Sequence, residues 1–299
     1  MKLLMESWRK FLTETKFDKL KQASLVGFAL PSLYPEIVAK FHDSDVLIDE
    51  SAILWDYNNV PITEELNKLI FLEDVKNIFT VERLSTTREP IEVGNFNLPE
   101  IPADLKLLNY LIDPLSTNTM SSLPISIKKI ISDCLSYADN MGLDTASRYC
   151  YITIDQAEVT KGGSLRDRGY HIDGMQGTEV SEKVQPDFQF IWSDNTPTSF
   201  CTKTFNLEGF REDEHNLFKW LQEQVAERFC YALSKNSIYL MNAYHVHEAS
   251  KSMNNNYRRF IRVAFTNTPI TSVKMSVNPN MDYDYDFHTT KGVIPTHLK

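Results

Sequence analysis

Ile238-Tyr239-Leu240-Met241-Asn242-Ala243-Tyr244-His245-Val246-His247, followed by Tyr257-Arg258-Arg259-Phe260-Ile261-Arg262-Val263-Ala264-Phe265, are the two runs that decide the fold. Both are dense in β-branched and aromatic side chains, and Ser237–Val246 and Arg259–Phe265 read as strands. Tyr149–Ile154 and Phe188–Trp192 read alike, the second ending at the turn signal Ser193-Asp194-Asn195-Thr196-Pro197. One helix is expected among them, from Glu212 to about Phe229. Glu212, Asp213 and Glu214 suit the positive end of its dipole, and Leu217, Trp220, Leu221 and Val225 form its apolar stripe. Short strands with one helical insertion point to a sandwich or open barrel of antiparallel strands.

Upstream the texture differs. Helical spacing is expected over Ser7–Lys21, from Pro35 to Phe41, from Ile62 onward, and over Ile125–Asp139, where Ile127, Ile130, Ile131 and Leu135 share a face. Residues 86–104 carry three prolines and read as a linker. The chain therefore divides into a mostly helical region, 1–145, packed on a β core, 146–299, with a helical insertion at 212–230. The run Asp282-Tyr283-Asp284-Tyr285-Asp286 reads as an exposed acidic tail.

A net charge of −9 argues against a protein that coats duplex DNA through its phosphates, although a local basic groove stays open. The four cysteines, Cys134, Cys150, Cys201 and Cys230, form no CxxC pair, so neither a zinc site nor a disulfide framework is expected. No apolar run is long enough to span a bilayer. Glu6, Trp8, Arg9 and Lys10 interrupt what could have been a leader's apolar region. A reducing, cytoplasmic setting is the expectation.

The chemistry sits in His171-Ile172-Asp173. On a strand, residues two apart point to one face, so this imidazole and carboxylate can share a ligand. The bare pair arises easily by chance. Gly169 before it, and Gly174 and Gly177 after it, mark a strand end running into a loop where a ligand can approach backbone. Far downstream, His245 and His247 share one parity, with His247 at the strand's end, where a site can open. His171, Asp173 and His247 would then give two imidazoles and a carboxylate on one side of a metal, leaving other positions open.

Three arginines in or beside an apolar strand ask for an anionic partner, since a buried guanidinium is costly alone. If Ile261, Val263 and Phe265 face the barrel, Arg259 shares their face; if Arg262 faces in, Arg258 joins it. The first arrangement makes Arg259 the expected anion anchor, with Arg262 the close second.

His171-x-Asp173, His247, and an arginine 11 to 15 residues later resemble the Fe(II)/2-oxoglutarate-dependent oxygenase superfamily over roughly residues 148–270. The resemblance implies an α+β protein with a double-stranded β-helix, or jelly-roll, core and packed helices. It implies Fe(II) held by His171, Asp173 and His247, and 2-oxoglutarate as co-substrate with Arg259 or Arg262 on its distal carboxylate. Dioxygen is the other reactant, and the activity is hydroxylation of a small-molecule or macromolecular substrate. The hydroxyl such sites supply to the distal carboxylate has three candidates, Tyr151, Thr153 and Thr198. Arg166, Arg168 and Trp192 are expected near the mouth. The alternatives are a cupin-like metal protein or isomerase without 2-oxoglutarate, and an inactive barrel serving as a phage interaction protein.

Overall fold

Phe188-Gln189-Phe190-Ile191-Trp192-Ser193 is buried at every position, the mark of a strand covered on both faces. It lies centrally in a computed structural model that describes residues 64–86, 88–165, 169–173, 187–202, 204–225, 230–270 and 275–284. The helices expected over 7–21 and 35–41, together with Arg166, Arg168, Gly174 and Gly177, lie outside the described residues.

In chain order the elements are α1 (Glu64–Lys76), a 3-10 turn (Val81–Ser85), β1 (Ile91–Asn95), β2 (Leu107–Ile112), α2 (Ile125–Asn140), β3 (Tyr149–Val159) and β4 (Phe188–Ser193). There follow β5 (Ser199–Cys201), α3 (Leu217–Val225), β6 (Cys230–Ala232), β7 (Ser237–Asn242), β8 (Val246–Glu248) and β9 (Asn256–Thr266). Six strands form one antiparallel sheet in the order β1-β7-β4-β9-β3-β2, and three form a second, β6-β5-β8. The architecture is mixed α and β, with two antiparallel sheets and few helices. No helix among the described residues is long and apolar enough to cross a membrane.

The large sheet separates two apolar layers, and the pleat decides which residue joins which. Phe188, Phe190 and Trp192 of β4, Ile238 and Leu240 of β7, and Ile261, Val263 and Phe265 of β9 pack with Ile127, Ile130, Ile131 and Ala138 of α2. Each such fully buried Val, Leu, Ile or Phe side chain contributes about 1.5–3 kcal/mol. The alternate residues Ile191, Tyr239 and Met241 turn the other way and meet Phe200 and Leu233, closing the gap to the small sheet. The most apolar face of β9 therefore looks at the helix layer, and its more polar face looks between the sheets.

Several expectations are revised by this arrangement. Residues 91–95 and 107–112, read upstream as linker and helical territory, are strands of the large sheet. The insertion helix runs Leu217–Val225 rather than from Glu212, because the Asn216 side chain accepts the Lys219 N–H at 3.1 Å and caps it there. Residues 226–229 fall outside the description. Ser237–Val246 is not one strand: β7 ends at Asn242, and the chain crosses to the small sheet at Val246. Cys201 and Cys230, directly opposite in β5 and β6, are joined in a disulfide, while Cys134 and Cys150 are free and buried. The pairing of β5 with β6 brings these two together, which their spacing in sequence did not reveal.

Candidate metal centre

The break between β7 and β8 gives the two histidines of the run different surroundings. Asn242 Oδ1 accepts the Tyr244 N–H at 2.9 Å and lies 2.9 Å from His245 Nδ1, holding a tight turn. His245 is buried inside this turn, and burial, helped by Arg88, pushes its imidazole down to about 3. His247, beyond the turn, heads toward His171. The two residues form an isolated antiparallel bridge, each N–H donating to the other's carbonyl at 2.9 Å.

Nδ1 of His171 lies 2.8 Å from the Gly169 carbonyl, and Nδ1 of His247 lies 2.9 Å from the His245 carbonyl. A carbonyl only accepts, so both rings carry their proton on Nδ1 and present the Nε2 lone pair. Gly169 stands at φ 122°, a conformation that strains any side chain, and this aims its carbonyl at the ring. Helix α3 supports the segment, with Gln222 Oε1 accepting the Tyr170 N–H at 3.0 Å.

Asp173 completes the set from a turn, not from a strand face. The ligand atoms of His171, Asp173 and His247 all lie within 4.8 Å of one another, and His247 Nε2 is 3.7 Å from Asp173 Oδ2. The Gln189 amide donates a short hydrogen bond to that same carboxylate oxygen. Burial works to raise the Asp173 carboxyl, but His247, Arg262, His171 and Gln189 outweigh it and carry it to about 2. Burial also lowers His247, so its imidazole favours the neutral form. An ionised carboxylate at Asp173 beside a neutral imidazole at His247 is the protonation state that metal ligation requires.

These groups open onto a cavity whose walls include Ile191, Met241, Phe260, Thr198, Arg258 and Arg262. The expectation that Arg259 looks inward is not met. Its Nε pairs with Asp194 Oδ2 at 2.6 Å, its Nη1 donates to the Pro99 carbonyl at 2.9 Å, and it lies over the Trp192 ring. The apolar residues of β9 share its face, and that face packs on the helix layer. Arg258 and Arg262 occupy the other parity. Arg258 is buried, with Nε donating to the Thr196 carbonyl at 2.7 Å. Arg262 is half-buried, with Nη2 donating to Asn109 Oδ1 at 2.7 Å.

The expected hydroxyls separate too. Thr198 lines the cavity alongside Arg258. Thr153 lies 3.4 Å from Arg262, while the Tyr151 hydroxyl is occupied by the Ile270 N–H. Trp192, expected near the mouth, is a core residue with its Nε1–H on the Phe96 carbonyl. Gln189 and Asn109 were passed over by the sequence reading. Each is a lone amide inside an apolar strand, which was the available signal.

No family model and no curated protein matches the chain. Among solved structures, EvdO2 from Micromonospora carbonacea var. aurantiaca is similar, with 9% identity over 59% of this chain and 74% of that one, at a TM-score of 0.35. EvdO2 complexed with 2-oxoglutarate overlaps 63% of this chain and 82% of its own, with 9% identity and a TM-score of 0.33. AviO1 from Streptomyces viridochromogenes Tue57 gives 11% identity over 56% and 75%, at 0.30. Likeness at this distance carries no argument about activity, which rests on the residues of the site.

Proposed function

We propose that the protein is a non-haem Fe(II)/2-oxoglutarate-dependent dioxygenase that hydroxylates its substrate, and that its two facing sheets are a double-stranded β-helix. The observation that carries this reading is the donor set. Two Nε2-presenting imidazoles and one ionised carboxylate converge beside a cavity that also holds a buried arginine. Two histidines and one carboxylate with open positions suit Fe(II) among the first-row metals. When bound, Fe(II) would supply the oxidation of a substrate C–H bond by dioxygen, coupled to conversion of 2-oxoglutarate to succinate and carbon dioxide.

The chain's own residues do the rest. His171, Asp173 and His247 would hold the metal. The Gly169 and His245 carbonyls fix the ring tautomers, and the Gln189 amide orients the carboxylate. Arg258, with Thr198 beside it in the cavity wall, would take the distal carboxylate of 2-oxoglutarate through a charge-assisted contact. Ile191, Met241 and Phe260 give that cavity apolar walls that exclude water.

The test is anaerobic titration of the protein with Fe(II) and 2-oxoglutarate, followed by exposure to air. A weak visible charge-transfer band, then succinate, is the expected outcome. Metal binding with neither band nor succinate under any condition would leave a cupin-like metal protein in its place.

A further inference from the structure

His171 takes its orientation from a peptide group, and the other end of that peptide group is held by a helix. The plane joining Gly169 to Tyr170 sends its carbonyl to His171 Nδ1 at 2.8 Å and its N–H to Gln222 Oε1 at 3.0 Å. A peptide is planar, and in the trans form its C=O and N–H point in opposite directions. An acceptor that fixes the N–H therefore fixes the carbonyl. The plane before it is pinned as well, since the Gly169 N–H donates to Glu248 Oε2 at 3.3 Å. Both anchors matter because Gly169, at φ 122°, has no side chain to restrict its backbone. Glycine gives the segment freedom to rotate, and Gln222 and Glu248 remove it.

Gln222 stands on α3, one turn beyond Phe218. Residues four apart share a helix face, and Phe218 meets the His171 ring with centroids 6.3 Å apart. The helix thus reaches the same imidazole twice, once by ring contact and once through the peptide. Gln222 itself is exposed, while α3 buries Leu217, Leu221 and Val225. Its amide completes no core, which separates a role at the centre from a role in the fold.

Which ring nitrogen of a histidine carries the proton is set by the hydrogen bond that the other makes. With the Gly169 carbonyl in place the proton stays on Nδ1, and Nε2 is left as the ligand atom. Once that carbonyl can turn away, the ring can carry its proton on Nε2, where it occupies the lone pair a metal needs.

We propose that Gln222 is a positioning residue of the metal centre, holding His171 in its Nδ1-protonated form through the Gly169–Tyr170 peptide. This rests on the metal-binding part of the function proposed above and not on the choice of co-substrate.

The test has two arms on the full chain, one without metal and one with Zn(II), which binds the same donors. In metal-free protein at pH 8, above the ordinary imidazole value, two-bond proton–nitrogen correlation spectra report the tautomer of each ring. His171 is assigned by its absence from His171→Ala. Wild type should show it protonated on Nδ1. Gln222→Ala should move a clear share of it to the Nε2-protonated form. The same variant should weaken Zn(II), read by competition with a chelator, by about three- to tenfold. Partners bonded directly to a ligand typically cost about 10–100-fold, and Gln222 acts one hydrogen bond further out. The melting temperature of metal-free Gln222→Ala should stay within about 2 °C of wild type, because exposed substitutions move stability little. Gln222→Glu, which keeps an oxygen for the Tyr170 N–H, should restore the wild-type tautomer and bind Zn(II) no more weakly than wild type. Nε2-protonated His171 in wild type would overturn the proposal, as would Gln222→Ala with an unchanged tautomer or an unchanged affinity. A larger fall in melting temperature in both Gln222→Ala and Gln222→Glu would make Gln222 a structural residue and overturn it too. A wild-type chain that binds no Zn(II) would instead sink the metal reading, whatever its tautomer.

Discussion

His171 and His247 are backbone partners, each donating its N–H to the other's carbonyl at 2.9 Å, and their rings stand 4.5 Å apart between centroids. One antiparallel bridge thus brings together two imidazoles that the sequence separates widely. The bridge is made by main chain, so it survives removal of either side chain. The centre can lose a ligand without losing the contact that assembles it.

His171→Ala and Asp173→Ala should each abolish metal binding while the fold persists. Anaerobic calorimetric titration with Fe(II), alongside circular dichroism, checks both halves. In metal-free buffer the stability change should stay within about 1 kcal/mol for the half-buried His171 ring and be larger for Asp173, whose ionised carboxylate is stabilised by His247, Arg262, His171 and Gln189. A much larger fall in melting temperature for His171→Ala would give that residue a structural role.

Arg258→Gln should raise the concentration of 2-oxoglutarate required for turnover by one to two orders of magnitude, from the loss of a contact of about 1.5–3 kcal/mol. Iron affinity should hardly move, because no ligand is touched. Arg259→Ala should leave the 2-oxoglutarate requirement as it is and lower the melting temperature, since Asp194 loses its 2.6 Å partner. Reversal of these two outcomes would restore Arg259 as the anchor.

That reversal marks where the sequence was and was not legible. The strands could be read because Tyr149–Ile154, Phe188–Trp192 and Arg259–Phe265 carry strong β texture, and each lies within a strand of the large sheet. The three metal-ligand candidates could be read from residue type and spacing. Facing could not be read for β9, because period-two alternation assigns residues to two faces without saying which meets helices and which meets a cavity. The apolar parity of β9 went to α2, taking Arg259 with it. His245 and His247 share a parity only if the chain stays in one strand, and the turn at Asn242 moves it to another sheet.

The disulfide between Cys201 and Cys230 should appear as a linked peptide pair in a non-reducing digest of protein purified without reductant. Reduction should destabilise the small sheet, by up to about 3.6 kcal/mol for a loop that spans 29 positions. Because Phe200, next to Cys201, stacks on the His247 ring with centroids 5.4 Å apart, the reduced protein should also bind metal more weakly. Identical melting curves with and without reductant would count against the link.

The pH dependence of stability separates two buried groups that act in opposite directions. His245 has its folded-state value pushed down to about 3 from 6.5, chiefly by burial. The unfolded chain binds the extra proton between those values. The contribution of His245 is therefore fully present above about pH 6.5 and is lost as pH falls toward 3. Asp187 is raised to about 6 from 3.8, first by burial and further by Asp173, against the Asn267 N–H, Arg148 and Arg262. Here the folded protein holds the proton more tightly, so stability declines as pH rises from about 4 through 6. Asp187→Asn keeps an acceptor for the Asn267 N–H and removes the charge. In urea unfolding of the metal-free protein it should be more stable than wild type at pH 7, by on the order of 1 kcal/mol after solvent screening. That advantage should vanish below about pH 4. His245→Gln should be less stable than wild type at pH 7 and should close the gap as pH falls through the histidine range. An Asp187→Asn advantage that is the same at pH 4 and pH 7 would show that charge burial is not its cause.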